Sequence, residues 1–169
     1  MGFIVLTSTV LHLATLFVAA ALFAAAALSD VRSYRIPNHL CAALLLLFPV
    51  FAATAPYAVA WHQNIFVFSL VSAAGFAAFW RGLVGAGDVK LLSVASLWAG
   101  PQWIAVLLAV MALAGGVESF VVGVAAFLKR SKNGCTLSFK KIKIPYGVAI
   151  ATGGVTMLGL MAHPILLSD

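Results

Sequence analysis

Long apolar runs constrain this chain more than any other feature, because they leave room for little else. A helix that crosses a bilayer needs about 20 mostly apolar residues. Residues 3–28 form the clearest such run, followed by residues 40–60, where Pro56 marks the exit turn, and residues 64–80. Residues 89–100 are short and end at Pro101, so this segment tilts, sits partly in the interface, or borrows residues from the glycine-rich stretch before it. Residues 103–128 and 145–167 complete the set, and Pro145 suits a first helical turn, where its missing N–H costs little. The pattern predicts an all-α, polytopic membrane helical bundle of about six transmembrane spans. No repeat or low-complexity tract interrupts it, and residues 1–169 read as a single integral membrane domain.

Composition agrees with the runs. The chain is 64% hydrophobic and 8% charged, whereas a soluble domain carries about a quarter charged residues. No Lys or Arg precedes Arg32, so the first run lacks the basic start of a secretory signal and is also too long for one. It reads as a retained span. Cys41 and Cys135 form no CxxC pair, and neither a disulfide nor a metal site follows from them.

The net charge of +6 is a topology signal. The basic residues Arg32, Arg35, Arg81, Lys90, Lys129, Arg130, Lys132, Lys140, Lys141 and Lys143 all fall in or beside the loops after spans one, three and five. With six spans those loops share one face, which the positive-inside rule makes cytoplasmic, and both termini then lie on the other side. Anionic lipid headgroups suit the basic stretch 129–143. Nothing in the chain has the signature of a nucleic-acid-binding fold.

Four acidic residues exist: Asp30, Asp88, Glu118 and Asp169. Ionisable groups in a membrane are costly and need a reason. Asp30 closes the first span and Asp88 opens the fourth, so both carboxylates stand at the same membrane face. If they approach each other, one proton is shared between them near neutral pH. One carboxylate then takes a proton from water while the other donates to a substrate carbonyl oxygen, which hydrolyses a peptide without a covalent enzyme intermediate. Gly85 and Gly87 precede Asp88 in a GxGD string. Glycine permits positive φ and close backbone approach, as an extended substrate requires. On residue types alone, a helix-start turn with Asp88 as its N-cap explains the string equally well.

Three ordered segments carry a resemblance: Asp30 with Arg35-Ile36-Pro37-Asn38, then Gly85-Ala86-Gly87-Asp88-Val89-Lys90, then Ile144-Pro145-Tyr146-Gly147. Together they resemble the type IV prepilin peptidase family of GxGD membrane aspartic proteases. The resemblance implies that Asp30 and Asp88 are the catalytic pair of an aspartic endopeptidase needing no metal or other cofactor. It also implies that the partners are pilin-like precursors, cut after a glycine at the cytoplasmic face of the bacterial inner membrane. Longer members carry an N-terminal methyltransferase region with paired CxxC motifs. This chain begins in a span and has no CxxC, so it resembles the short, peptidase-only form of tight-adherence (Flp) pilus systems.

Lys90 reads either as a partner for a carboxylate or acidic substrate position, or as a snorkelling interfacial lysine. Arg35 and Tyr146 are candidates for positioning substrate, with orientation and helix start as their plainer explanations. Asn38 reads as the cap of the second span. Glu118, flanked by Gly115, Gly116 and Ser119, is read well inside the fifth span, where it pairs with a polar group, stays protonated or tunes the aspartates. His12, His62 and His163 fall towards the opposite face. A competing reading is a small proton-coupled transporter or channel with Asp30, Asp88 and Glu118 as its relay, which would distribute acids across the bilayer depth.

Overall fold

A computed structural model describes residues 2–133 and 145–166, with side chains placed for residues 7–125, 128 and 145–165. Cys135, Lys140, Lys141, Lys143, Ile144 and Asp169 lie outside the described residues, so the sequence readings placed on them are not addressed. All the described regular structure is helical: α1 (Gly2–Ser33), α2 (Asn38–Thr54), α3 (Trp61–Trp80), α4 (Ala86–Asn133) and α5 (Tyr146–Leu166).

Four of these helices are long and apolar enough to cross a membrane, and α2 is a shorter apolar helix. The expectation of about six spans exceeds this number for two reasons. It counted α2, which has 17 residues, and it divided α4 into two.

The division of α4 nevertheless has a structural counterpart. Gly100 leaves the helical region, with φ 55° and ψ −168°. A straight helix would carry Gly115 about 40 Å from Asp88, at 1.5 Å per residue. Instead, a Cβ on Gly115 would stand 3.5 Å from the Tyr146 ring, and Tyr146 lines the same cavity as Asp88. The second arm of α4 therefore doubles back on the first. The first arm starts at Ala86, so it does borrow residues from the glycine-rich stretch.

The reversal is built from three residues. Pro101 has no N–H to offer the carbonyl of Leu97, which such a turn leaves without its helical partner. Asn64, the buried residue of α3, donates its Nδ2 to that carbonyl at 2.8 Å. Its amide fills the space beside Gly100, where a Cβ would stand 2.7 Å from Oδ1. In an apolar surrounding an unpaired carbonyl costs several kcal/mol, so Asn64 makes the turn tolerable.

The bundle is held by close approach as well as by apolar burial. Gly153 of α5 lies against the Leu107 carbonyl of α4, and Gly154 lies against the Phe23 ring of α1. This adjacent pair seats α5 between its two neighbours. Phe23, Leu44, Leu91, Trp98, Leu107 and Met157 form the buried centre. Trp98 Nε1 donates to the Leu44 carbonyl at 3.1 Å, fastening α4 to α2. Large apolar side chains such as Phe17, Leu46, Trp80 and Phe120 point outward, as suits a surface solvated by lipid.

Candidate active site

The first two elements of the site meet at the end of α1. The Tyr34 N–H donates to the Asp30 carbonyl at 2.8 Å, and Tyr34 itself adopts φ 51°. That left-handed conformation costs a non-glycine residue about 1–2 kcal/mol. The turn is held by Ser29, whose hydroxyl donates to the Arg35 carbonyl at 2.9 Å. Ser33 donates to the Ser29 carbonyl at 2.8 Å. The chain is thereby forced back across the end of α1, bringing Ile36 against the start of α4.

Asp30 is 5% exposed. The backbone N–H of Gly147, in the first turn of α5, donates to its Oδ2 at 2.7 Å. This bond joins residues at opposite ends of the chain and orients the carboxylate. It also explains the glycine, since a Cβ there would stand 2.7 Å from Oδ2 and 2.9 Å from Ile36 Cδ1.

Asp88 lies in the first turn of α4, where the helix dipole favours an acid. The Gly85 backbone hydrogen-bonds to its carboxylate, the back-reaching half of a capping box. Asp88 is thus inside the helix start and is not its N-cap residue. Asp30 and Asp88 are close enough for the charge of one to act on the other.

The GxGD glycines work differently from the expectation of positive φ. Among the described residues the positive-φ glycines are Gly82 and Gly100. Gly87 faces Ile36, whose Cβ and nitrogen a Cβ there would meet at 3.4 and 3.6 Å, ordinary contact distances. Gly85 leaves room for the Asp88 carboxylate, which a Cβ would approach to 3.0 Å.

An open cavity of about 480 Å³ lies between these elements, and Asp30, Asp88, Gly85, Gly87, Lys90, Arg35 and Tyr146 all line it. These are the catalytic pair and the five substrate-positioning candidates named from sequence; Glu118 does not line the cavity. Lys90 Nζ donates to Asn38 Oδ1 at 3.0 Å, so its partner is an amide and not a carboxylate. Asn38 makes no capping bond, and Pro37 holds the N-cap position of α2. His12 stands at the other end of the bundle, beside Thr54 and stacked on Phe51. Among the described residues no group of three or more His, Cys, Asp or Glu side chains is arranged to hold a metal ion.

Sequence reading missed two features of the site. The N–H of Gly147 as a ligand of Asp30 was signalled only by the third ordered motif. Tyr34 was not singled out at all, although it lines the cavity; no sequence signal marks a left-handed tyrosine.

A multi-pass helical membrane protein with two carboxylates converging on one open cavity belongs to a narrow class. The family model of the type IV leader peptidases matches residues 16–120, a stretch that contains Asp30, Asp88 and Glu118 and stops short of α5. The chain belongs to the type IV leader peptidase family and is a protease. No curated protein and no solved structure matches the chain.

Proposed function

We propose that this protein is an aspartic endopeptidase that uses Asp30 and Asp88 to remove the leader from type IV pilin-like precursors at the cytoplasmic face of the bacterial inner membrane. The observation that carries the reading is the convergence of both carboxylates on one cavity open at the end of the bundle. One carboxylate takes a proton from water as the water oxygen bonds to the scissile carbonyl carbon. The other carboxyl gives its proton to the carbonyl oxygen. Collapse of the resulting diol breaks the C–N bond, and the proton taken from water passes to the leaving amine. The Gly147 N–H holds Asp30 in place throughout.

The positive-inside argument supports the cytoplasmic placement of this cavity, because Arg35 and Lys90 line it. A proton relay through the membrane is less well supported, since Asp30, Asp88 and Glu118 gather at one end of the bundle.

The test is co-expression with candidate pilin-like precursors, following leader removal by gel shift. Wild type cleaves, and Asp30→Asn and Asp88→Asn each abolish cleavage at unchanged membrane abundance. Cleavage that survives either substitution removes the paired-carboxylate mechanism.

A further inference from the structure

Glu118 has no role in the mechanism above, and its surroundings call for one. Sequence reading placed it well inside a span. The reversal at Gly100 turns that span back towards the end of the bundle that holds the cavity. Gly115, one helical turn earlier, lies against Tyr146 and Ala149 of α5, and residues three apart share a helix face. Gly147, the donor to Asp30, sits between those two residues of α5.

The Glu118 side chain is half-buried. Its Oε2 is buried and has no hydrogen-bond partner among the described residues. A carboxyl oxygen left unpaired in apolar surroundings costs stability. The three neighbouring residues that would let a helix pack closely here do not need an acid among them. Asp30 lies within electrostatic reach of Glu118, as it does of Asp88. Asp30 is therefore within electrostatic reach of two carboxyls, one on each arm of α4, and the Gly147 N–H fixes one of its oxygens.

We infer that Glu118 is a positioning residue for the aspartate pair, its carboxyl biasing how Asp30 and Asp88 share their proton. Glu118 acts through Asp30 and is not itself a group that touches the scissile bond. The inference rests on the peptidase reading for its kinetic consequence, and on the structure alone for the coupling of the two carboxyls.

Two measurements test it. The first is steady-state cleavage by Glu118→Gln and Glu118→Asp. The amide keeps size and polarity but cannot exchange a proton, so Glu118→Gln lowers kcat by about tenfold with KM and membrane abundance unchanged, and Glu118→Asp recovers most of the loss. Wild-type kcat in Glu118→Gln overturns the inference. So does a loss that follows abundance or KM, which marks a merely structural role. The second measurement needs no substrate. The carboxyl infrared band of Glu118, assigned as the band lost in Glu118→Gln, shifts when Asp30→Asn is introduced. A band that Asp30→Asn leaves in place overturns the inference even if cleavage is never observed. Absence of cleavage by wild type with a shifted band counts against the peptidase reading and upholds the coupling.

Discussion

The backbone N–H of Gly147 donates to Oδ2 of Asp30 at 2.7 Å, across 117 residues of sequence. The first turn of α5 is therefore part of the site, although the family match ends before it. The bond requires both the N–H and the missing side chain, since a Cβ would stand 3.0 Å from the Asp30 Cβ.

Gly147→Ala is expected to push the Asp30 carboxylate off its donor. A displacement of this size at a reacting group costs about a hundredfold in rate. Cleavage assays on membranes matched for protein level check this. Near-wild-type turnover would mean that Asp30 needs no fixed orientation.

Asn64→Leu is expected to destabilise the bundle by about 1–3 kcal/mol, the cost of leaving a buried acceptor unpaired. The Leu97 carbonyl loses the donor that stands in for the N–H absent from Pro101. Thermal unfolding in detergent measures the loss. Gly100→Ala is expected to be at least as damaging, because the new Cβ meets the Asn64 amide and φ stays positive.

Tyr34→Asn is expected to leave stability unchanged or raise it by up to about 1 kcal/mol, since asparagine tolerates the left-handed region better than tyrosine. Tyr34 is 52% exposed and gives up little apolar burial. The same unfolding measurement decides this, and a clear loss would show that the ring holds the turn.

Lys90→Met removes the hydrogen bond to Asn38, which is exposed. Its effect on stability is expected to stay within about 0.5 kcal/mol. If the ammonium meets substrate in the cavity, KM rises several-fold while kcat holds. Kinetics on a precursor peptide separate the two effects.

The spans and the shared location of the aspartates were legible in sequence because both follow from counting. Apolar runs have a required length, and two intervening crossings return the chain to the same side. Other features depend on which helices touch. Asn64 read as the start of an apolar run, and its meaning emerged only with α3 set against the Gly100–Pro101 turn. Glu118 read as lying inside the fifth span, but what faces it depends on how the two arms of α4 pack against α5. Asn38 carried the residue type of a cap, yet Pro37 took that position and left its amide to Lys90. Of the GxGD glycines, Gly85 is a place of close approach, but to the Asp88 carboxylate and not to a second backbone.

The turn at Gly100 also makes the two arms of α4 a single ruler. Asp88 is measured down one arm and Glu118 down the other from a common zero at the far end of the molecule. Inserting or deleting one residue in either arm turns everything beyond it by about 100° and shifts it by about 1.5 Å, moving one of these carboxyls relative to Asp30 and leaving the other in place. Across related chains, the spacing from Asp88 to Gly100 should therefore tolerate no change.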